Sequence, residues 1–246
     1  MSTKQNARPP TLNRILDALP DEAYDRLAPH LQLVPMQRGK TLYHVNKPIE
    51  YVYFPVNSMT SVIATTADGA AVEVGVIGRE GMTGVSVVLG TDLSPAEMMV
   101  QLPDSGLKLA AMALVEEFQR GEALQKLLLR YVNATMIMLA QSSACNRLHH
   151  SSERLARWLL MSHDRSPSDK LPLTHEFLAM MLGIRRAGVT ETALMLQADG
   201  FIHYTRGLIT ITDRPGLEGF TCECYGIIKA EFDRLNSQSD GGGEQR

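Results

Sequence analysis

Residues 173–212, LTHEFLAMMLGIRRAGVTETALMLQADGFIHYTRGLITIT, constrain the fold more than any other part of this chain. Phe177, Leu178, Met181 and Leu182 recur at helical spacing, and Thr174 stands just ahead of them as an N-cap. Gly183 ends that helix, because glycine enters the left-handed region without a Cβ penalty and swings the chain sharply. A second helix follows, with Ile184 between the two and Val189, Ala193, Leu194 and Leu196 facing inward. Beyond Gly200, residues 201–204 and 208–212 alternate as a short hairpin turned at Thr205-Arg206-Gly207.

This packing leaves Arg185, Arg186, Thr190 and Glu191 toward solvent. Two arginines at a helix start oppose the macrodipole, which favours anions there by about 0.3–1 kcal/mol per charge. The pair is either a solvated face or a contact for an external anion, since a guanidinium offers phosphates and guanine edges a planar fork. Helix, glycine turn, arginine-led helix and basic-tipped hairpin together make a winged helix-turn-helix, whose second helix enters the DNA major groove. On that reading residues 185–198 are the recognition helix, with Arg186 the leading base reader beside Arg185, Thr190 and Glu191. Arg206 on the wing, with Thr174 and His175 at the first helix start, contacts the phosphate backbone.

The first half follows a different pattern. Short helices at 12–16 and 20–31 precede strands at 31–35, 41–44, 51–55, 59–65, 71–77, 98–102 and 106–110. Turns such as Arg38-Gly39, Asp68-Gly69 and Gly78-Arg79-Glu80-Gly81 separate them, as an all-β roll requires. A helix then begins at 112–118 and restarts after Gly121. In it Leu124, Leu128, Tyr131, Thr135, Met138, Ser142 and Cys145 keep an alternating 4-3 spacing, a seam that fits a partner helix and hence a dimer interface. The other reading packs this helix on its own strands through Leu127, Val132 and Met136. Residues 146–152 form a hinge corner. A helix at 153–163 follows with Trp158 beside its inward face, and 217–235 is a closing helix. The polar ends, 1–11 and 236–246, read as a loose arm and a disordered tail.

No apolar run approaches ~18 residues, and the start MSTKQNARPPT lacks an apolar signal core, so the expectation is a cytoplasmic protein without membrane contact. A net charge of −3 gives no global attraction to nucleic acid. Within 171–214, Arg185, Arg186, Arg206 and Arg214 are matched by Glu176, Glu191, Asp199 and Asp213, so DNA binding rests on where the charges lie. Cys145, Cys222 and Cys224 are too few and too poorly spaced for a disulfide framework or a four-ligand zinc site. The Cys222-Glu223-Cys224 pair reads as packing residues, since a Cys-x-Cys on a helix points its thiols apart. His30, His44, His149 and His150 are ligand candidates by residue type only, so no metal or cofactor is assigned. There is no P-loop lysine, no nucleophile elbow and no metal-spaced histidine pair in the first half, which argues against an enzyme.

The chain resembles the Crp/Fnr family of bacterial transcription regulators. The resemblance rests on Leu173-Thr174-His175-Glu176, the Leu182-Gly183 turn, Arg185-Arg186, residues 194–200 and the wing at Arg206-Gly207, and it extends over roughly 12–215. Together with the closing helix and tail read from the residues themselves, it implies an α+β chain in five parts. An N-terminal double-stranded β-roll of the cyclic-nucleotide-binding type occupies 12–120 and a dimerisation helix 121–149. A winged helix-turn-helix follows at 150–216, then a closing helix at 217–235 and a tail at 236–246. The implied function is sequence-specific regulation by a homodimer on double-stranded DNA, at a roughly palindromic operator, with RNA polymerase and a small-molecule effector as further partners. In the family's phosphate-binding cassette the glycine turn corresponds to Gly78, Arg79, Glu80 and Gly81, the positions for effector contact. The family's Arg-Ser pair reads here as Ser94-Pro95, and the lost charged contact, about 1.5–3 kcal/mol, implies an effector other than cyclic AMP. Ala187 replaces the acid that often follows the reading arginine, which implies a different half-site. The rival reading is a small-ligand-binding β-roll whose C-terminal half mediates protein contacts.

Overall fold

A computed structural model describes residues 10–237. The expected arm and tail therefore lie outside the described residues at positions 1–9 and 238–246. The chain opens on α1 (Arg14–Asp17), capped by buried Asn13, whose side-chain oxygen accepts from the Ile15 and Leu16 amides. The amide nitrogen of Asn13 donates to the carbonyls of Pro55 and Gly81, both at 2.9 Å, and so ties this helix to the strands behind it. After α2 (Asp21–Leu27) the chain enters two antiparallel sheets. One has the order β1 (Gln32–Met36), β7 (Asp104–Ala110), β3 (Tyr51–Pro55). The other runs β2 (Thr41–Tyr43), β6 (Glu97–Leu102), β4 (Met59–Thr65), β5 (Ala71–Ile77). Inward residues of both sheets, including Phe54, Met59, Val62, Met98 and Leu109, share one core. Period-two alternation located these strands, and β7 starts earlier than expected because Ser105 and Asp104 pair with Pro35 and Met36.

Next come α3 (Ala111–Gln119) and, past Gly121 at φ +75°, the long α4 (Ala123–Leu148). Here the structure corrects the sequence reading. The expected dimer seam, Leu124, Leu128, Tyr131, Thr135, Met138, Ser142 and Cys145, is buried within this one chain. The Tyr131 hydroxyl donates to the Met82 carbonyl at 2.9 Å, and its ring lies tilted against Phe232 of α9 (Cys224–Ser237) at 6.4 Å. Met138 lies so close to Gly75 of β5 that a Cβ there would sit 2.8 Å from its methyl. Met136, placed by the alternative reading against the strands, is instead 64% exposed, and Leu129 on the same side is 50% exposed. A regular spacing identifies an apolar stripe but not its partner, and the roll and α9 both lie on this side of α4.

α5 (Ser151–His163) begins earlier than expected, with His150 as the cap residue, whose N–H donates to Glu153 Oε2 at 2.9 Å. The C-terminal unit then contains β8 (Lys170–Leu171), which the sequence reading missed, α6 (His175–Leu182), α7 (Arg186–Ala198), β9 (Ile202–Thr205) and β10 (Leu208–Ile211). The expected closing helix is two helices, α8 (Arg214–Phe220) and α9, broken at 221–223. α9 runs on through Ser237, past the expected start of the tail. The two halves are docked by buried polar contacts. Trp158 Nε1 donates to Glu73 Oε1 at 2.7 Å, and Arg165 pairs with Glu80 at 2.7 Å. No helix among the described residues is long and apolar enough to cross a membrane.

Candidate functional site

The helix-turn-helix is assembled as its residues dictate. Thr174 Oγ1 accepts from the Phe177 amide at 3.2 Å, capping α6. Gly183 takes φ +62°, and the amides of Gly183 and Ile184 return to the carbonyls of Met180 and Ala179. Arg154 donates to the Leu182 carbonyl, holding the turn on α5. Val189, Thr192, Ala193 and Leu196 form the buried stripe of α7. Leu194, expected to face inward, is 57% exposed, because it sits about 100° around the helix from Ala193.

On the outer side, Arg185 is the cap residue of α7 and Arg186 its first residue; both are exposed, as is Glu191. Arg186 Nη1 lies 3.2 Å from Glu176 Oε1, an exposed pair that orients the guanidinium more than it stabilises the fold. Arg206 and Thr174 are also exposed. Thr190 and His175 are arranged differently. Thr190 Oγ1 lies 3.0 Å from His175 Nδ1 and 3.2 Å from the Arg186 carbonyl, and His175 stacks on Tyr204 of the wing at 4.4 Å. Burial and then the Arg186 charge hold the imidazole below its ordinary value, which favours the neutral ring. These two side chains, read from sequence as DNA contacts, join α6, α7 and the wing to one another. Gln197 adds to that joint by accepting from the Tyr204 amide at 2.7 Å.

The turn read as an effector contact faces inward. Glu80 is buried, and its carboxylate accepts from the Gly78 amide at 3.0 Å as well as from Arg165. The Gly81 amide donates to the Gly78 carbonyl at 3.0 Å. A Cβ at Gly78 would lie 2.6 Å from Arg165 Cγ, and one at Gly81 2.4 Å from the Tyr131 hydroxyl. The glycines thus allow close approach to α4 and the end of α5, and their N–H groups are already engaged. That corrects the expectation of an anion cradle. Beside the turn, Arg14, Arg79, Asp164, Arg214, Tyr225 and Lys229 border a cleft of about 340 Å³ between roll and α9.

A second constellation was not expected. Cys145 lies on the last turn of α4 and His149 caps that helix, while Cys222 lies in the break between α8 and α9 and Cys224 opens α9. Cys145 Sγ is 3.6 Å from Cys222 Sγ, and Cys224 Sγ is 3.4 Å from His149 Nδ1. All four potential ligand atoms fall within 4.8 Å of one another. The reading of Cys222 and Cys224 as thiols pointing apart on one helix is corrected, because Cys222 precedes α9. Cys145 is held below the ordinary thiol range by its hydrogen bond with Cys222 and by the Arg157 charge, against burial. The sequence carried two local signals for this group, a Cys and His four residues apart on a helix and a Cys-x-Cys. Their meeting across 77 residues is a tertiary event.

Comparison with known proteins bears on the same segment. The model of the Crp-like helix-turn-helix domain matches residues 153–220. No curated protein matches the chain by sequence. Among solved structures, the chain is similar to TTHB099, a CRP family transcriptional regulator of Thermus thermophilus, with TM-score 0.62, 17% identity, and 76% and 95% of the two chains covered. It is also similar to FixK2 of Bradyrhizobium japonicum, with TM-score 0.61, 16% identity, and 78% and 98% covered. A third similar structure is the c-di-GMP responsive global regulator CLP of Xanthomonas campestris, with TM-score 0.57, 16% identity, and 79% and 100% covered. Residues 153–220 thus match a Crp-like helix-turn-helix domain, and the whole architecture, a β-roll joined through a long helix to that domain, is the fold these solved structures share.

Proposed function

We propose that the chain is a homodimeric, sequence-specific regulator that binds double-stranded DNA through α7. The observation that carries this reading is the exposed pair Arg185 and Arg186 at the start of α7, on the outer face of the matched helix-turn-helix domain. Arg186, oriented by Glu176, reads a base edge; Arg185 and Glu191 stand beside it. Arg206 on the wing and the Thr174-capped start of α6 grip phosphates, while His175 and Thr190 position the three elements against one another. Dimerisation uses the outward stripe of α4, Leu129, Val132, Met136, Ala140 and Ser143, since the inward stripe is already covered. Two-fold symmetry then places the recognition helices about one DNA turn, ~34 Å, apart over a roughly palindromic operator.

Cyclic AMP is not the effector on this reading. Ser94-Pro95 lacks the phosphate-pairing arginine, and the Gly78 and Gly81 amides are occupied within the chain. The test is selection from random duplex DNA by purified protein at ~150 mM salt, a concentration that suppresses loose phosphate contacts. A palindromic consensus with half-sites one turn apart is expected without added nucleotide. Salt-sensitive binding with no consensus, in the absence and presence of small-molecule extract, would remove the regulator reading.

A further inference from the structure

We infer that Cys145, His149, Cys222 and Cys224 form a structural site for one tetrahedral divalent ion of the zinc class. Zinc with Zn–S near 2.3 Å and Zn–N near 2.0–2.1 Å spans tetrahedral edges of about 3.8 Å between sulfurs and about 3.6 Å between sulfur and nitrogen. The edges seen here are 3.6 Å for Cys145 and Cys222 and 3.4 Å for Cys224 and His149 Nδ1. All four atoms lie within 4.8 Å of one another, a spread that suits a single ion. An iron–sulfur cluster, with several metal atoms between its ligands, would hold the thiols further apart.

The surroundings fit the same chemistry. His149 presents Nδ1 to the thiols while Nε2 lies 3.4 Å from Glu223 Oε2, the carboxylate–histidine arrangement that orients an imidazole ligand. Gln141 Nε2 donates to Cys224 Sγ at 3.1 Å. Three thiolates and one divalent ion leave a net charge of −1. Arg154 and Arg157, buried on α5, supply positive charge nearby; neither Nε has a hydrogen-bond partner, and neither guanidinium an ion pair, among the described residues. On binding, each thiol releases its proton to solvent as its sulfur bonds to the ion, so affinity rises with pH.

The site has a structural consequence. It joins the C-terminal turn of α4 to the α8–α9 break, immediately before α5 starts, and so clamps the closing helix to the corner between the two halves. The experiment is metal analysis of the full chain purified under reducing, chelator-free conditions, followed by replacement with Co²⁺. One zinc per chain is expected, and cobalt protein showing thiolate-to-cobalt charge transfer with the strong visible bands of tetrahedral Co²⁺. Cys224→Ser and His149→Ala should lose the ion, and Glu223→Gln should weaken zinc affinity about 10–100-fold with the fold retained. Reduced wild-type protein that retains no metal and gives no cobalt bands overturns the proposal. So does an iron–sulfur chromophore, or a Cys145–Cys222 disulfide in the freshly isolated protein.

Discussion

Two sets of arginines in the C-terminal half behave in opposite ways. Arg154, Arg157 and Arg165, on or just after α5, are buried, whereas Arg185, Arg186 and Arg206, on α7 and the wing, are exposed. Arg165 satisfies its charge inside the chain, by Glu80 and the Met161 carbonyl, and Arg154 donates to the Leu182 carbonyl. Among the described residues, the exposed set has one ion pair to hold it, Arg186 with Glu176. Burying a charge is costly unless it is paired and hydrogen-bonded, so the inner arginines are tied to the docking of the two halves. The outer ones are free to meet an anion from elsewhere.

The largest expected effect tests the inner set. Arg165→Ala leaves the Glu80 carboxylate buried without its ion-pair partner and should lower unfolding stability by about 3–5 kcal/mol, read by urea denaturation. Arg165→Met combined with Glu80→Met removes both charges and should recover most of that loss. A double variant no more stable than the single one would show that packing at Gly78, not the ion pair, holds the junction.

Next in size is the buried carboxyl opposite α5. Glu73 is pushed up to about 7 by burial, against the hydrogen bonds from Ser61 and Trp158 and the charges of Arg157 and Arg165. Ser61 Oγ lies 2.6 Å from both Glu73 Oε2 and Gln101 Oε1, and its single proton serves only one of them, so a proton on Glu73 completes the second bond. Because the folded value is raised, the folded state holds this proton more tightly than the unfolded chain does. The associated stabilisation is full below about 4.5 and is lost as pH rises through about 7, a difference of about 3 kcal/mol. Glu73→Gln should flatten the dependence between pH 5 and 8; an unchanged slope would place its source elsewhere.

The outer set should give the reverse pattern, with binding affected and stability spared. Arg186→Ala should change unfolding stability by no more than about 0.5 kcal/mol. The same change should cost about 1–3 kcal/mol at the preferred operator and relax selectivity at one base position, measured by binding to single-base variants. Smallest is Arg206→Ala, expected to weaken all duplexes alike and to reduce the salt slope of log affinity by about one. If Arg206→Ala instead alters sequence preference, the wing reads bases rather than phosphates.

Local pattern accounts for what was legible. The strands at 51–55, 59–65 and 71–77 stand where alternation put them, because side chains on a strand change face at every residue. Thr174, Gly183 and the Arg185-Arg186 start of α7 were legible for similar reasons, as a cap, a left-handed turn and a charged helix end each depend on a few neighbouring residues. β8 was missed because two residues carry no period; only pairing with Ile209 and Thr210 makes Lys170–Leu171 a strand. The inner role of Glu80 was missed because nothing near Gly78 in sequence announces Arg165.

By itself, then, the sequence determined a strand-rich first half, a long helix, and a helix-turn-helix with an arginine-led second helix. These rest on periodicities and turn chemistry that act within a few residues. Tertiary structure decided which stripe of α4 is covered, which arginines are buried, and that Cys145 and His149 meet Cys222 and Cys224. Each of those outcomes depends on surfaces far apart along the chain that compete to be buried. Local propensity offers α4 two apolar stripes, and packing by the roll and α9 selects one of them.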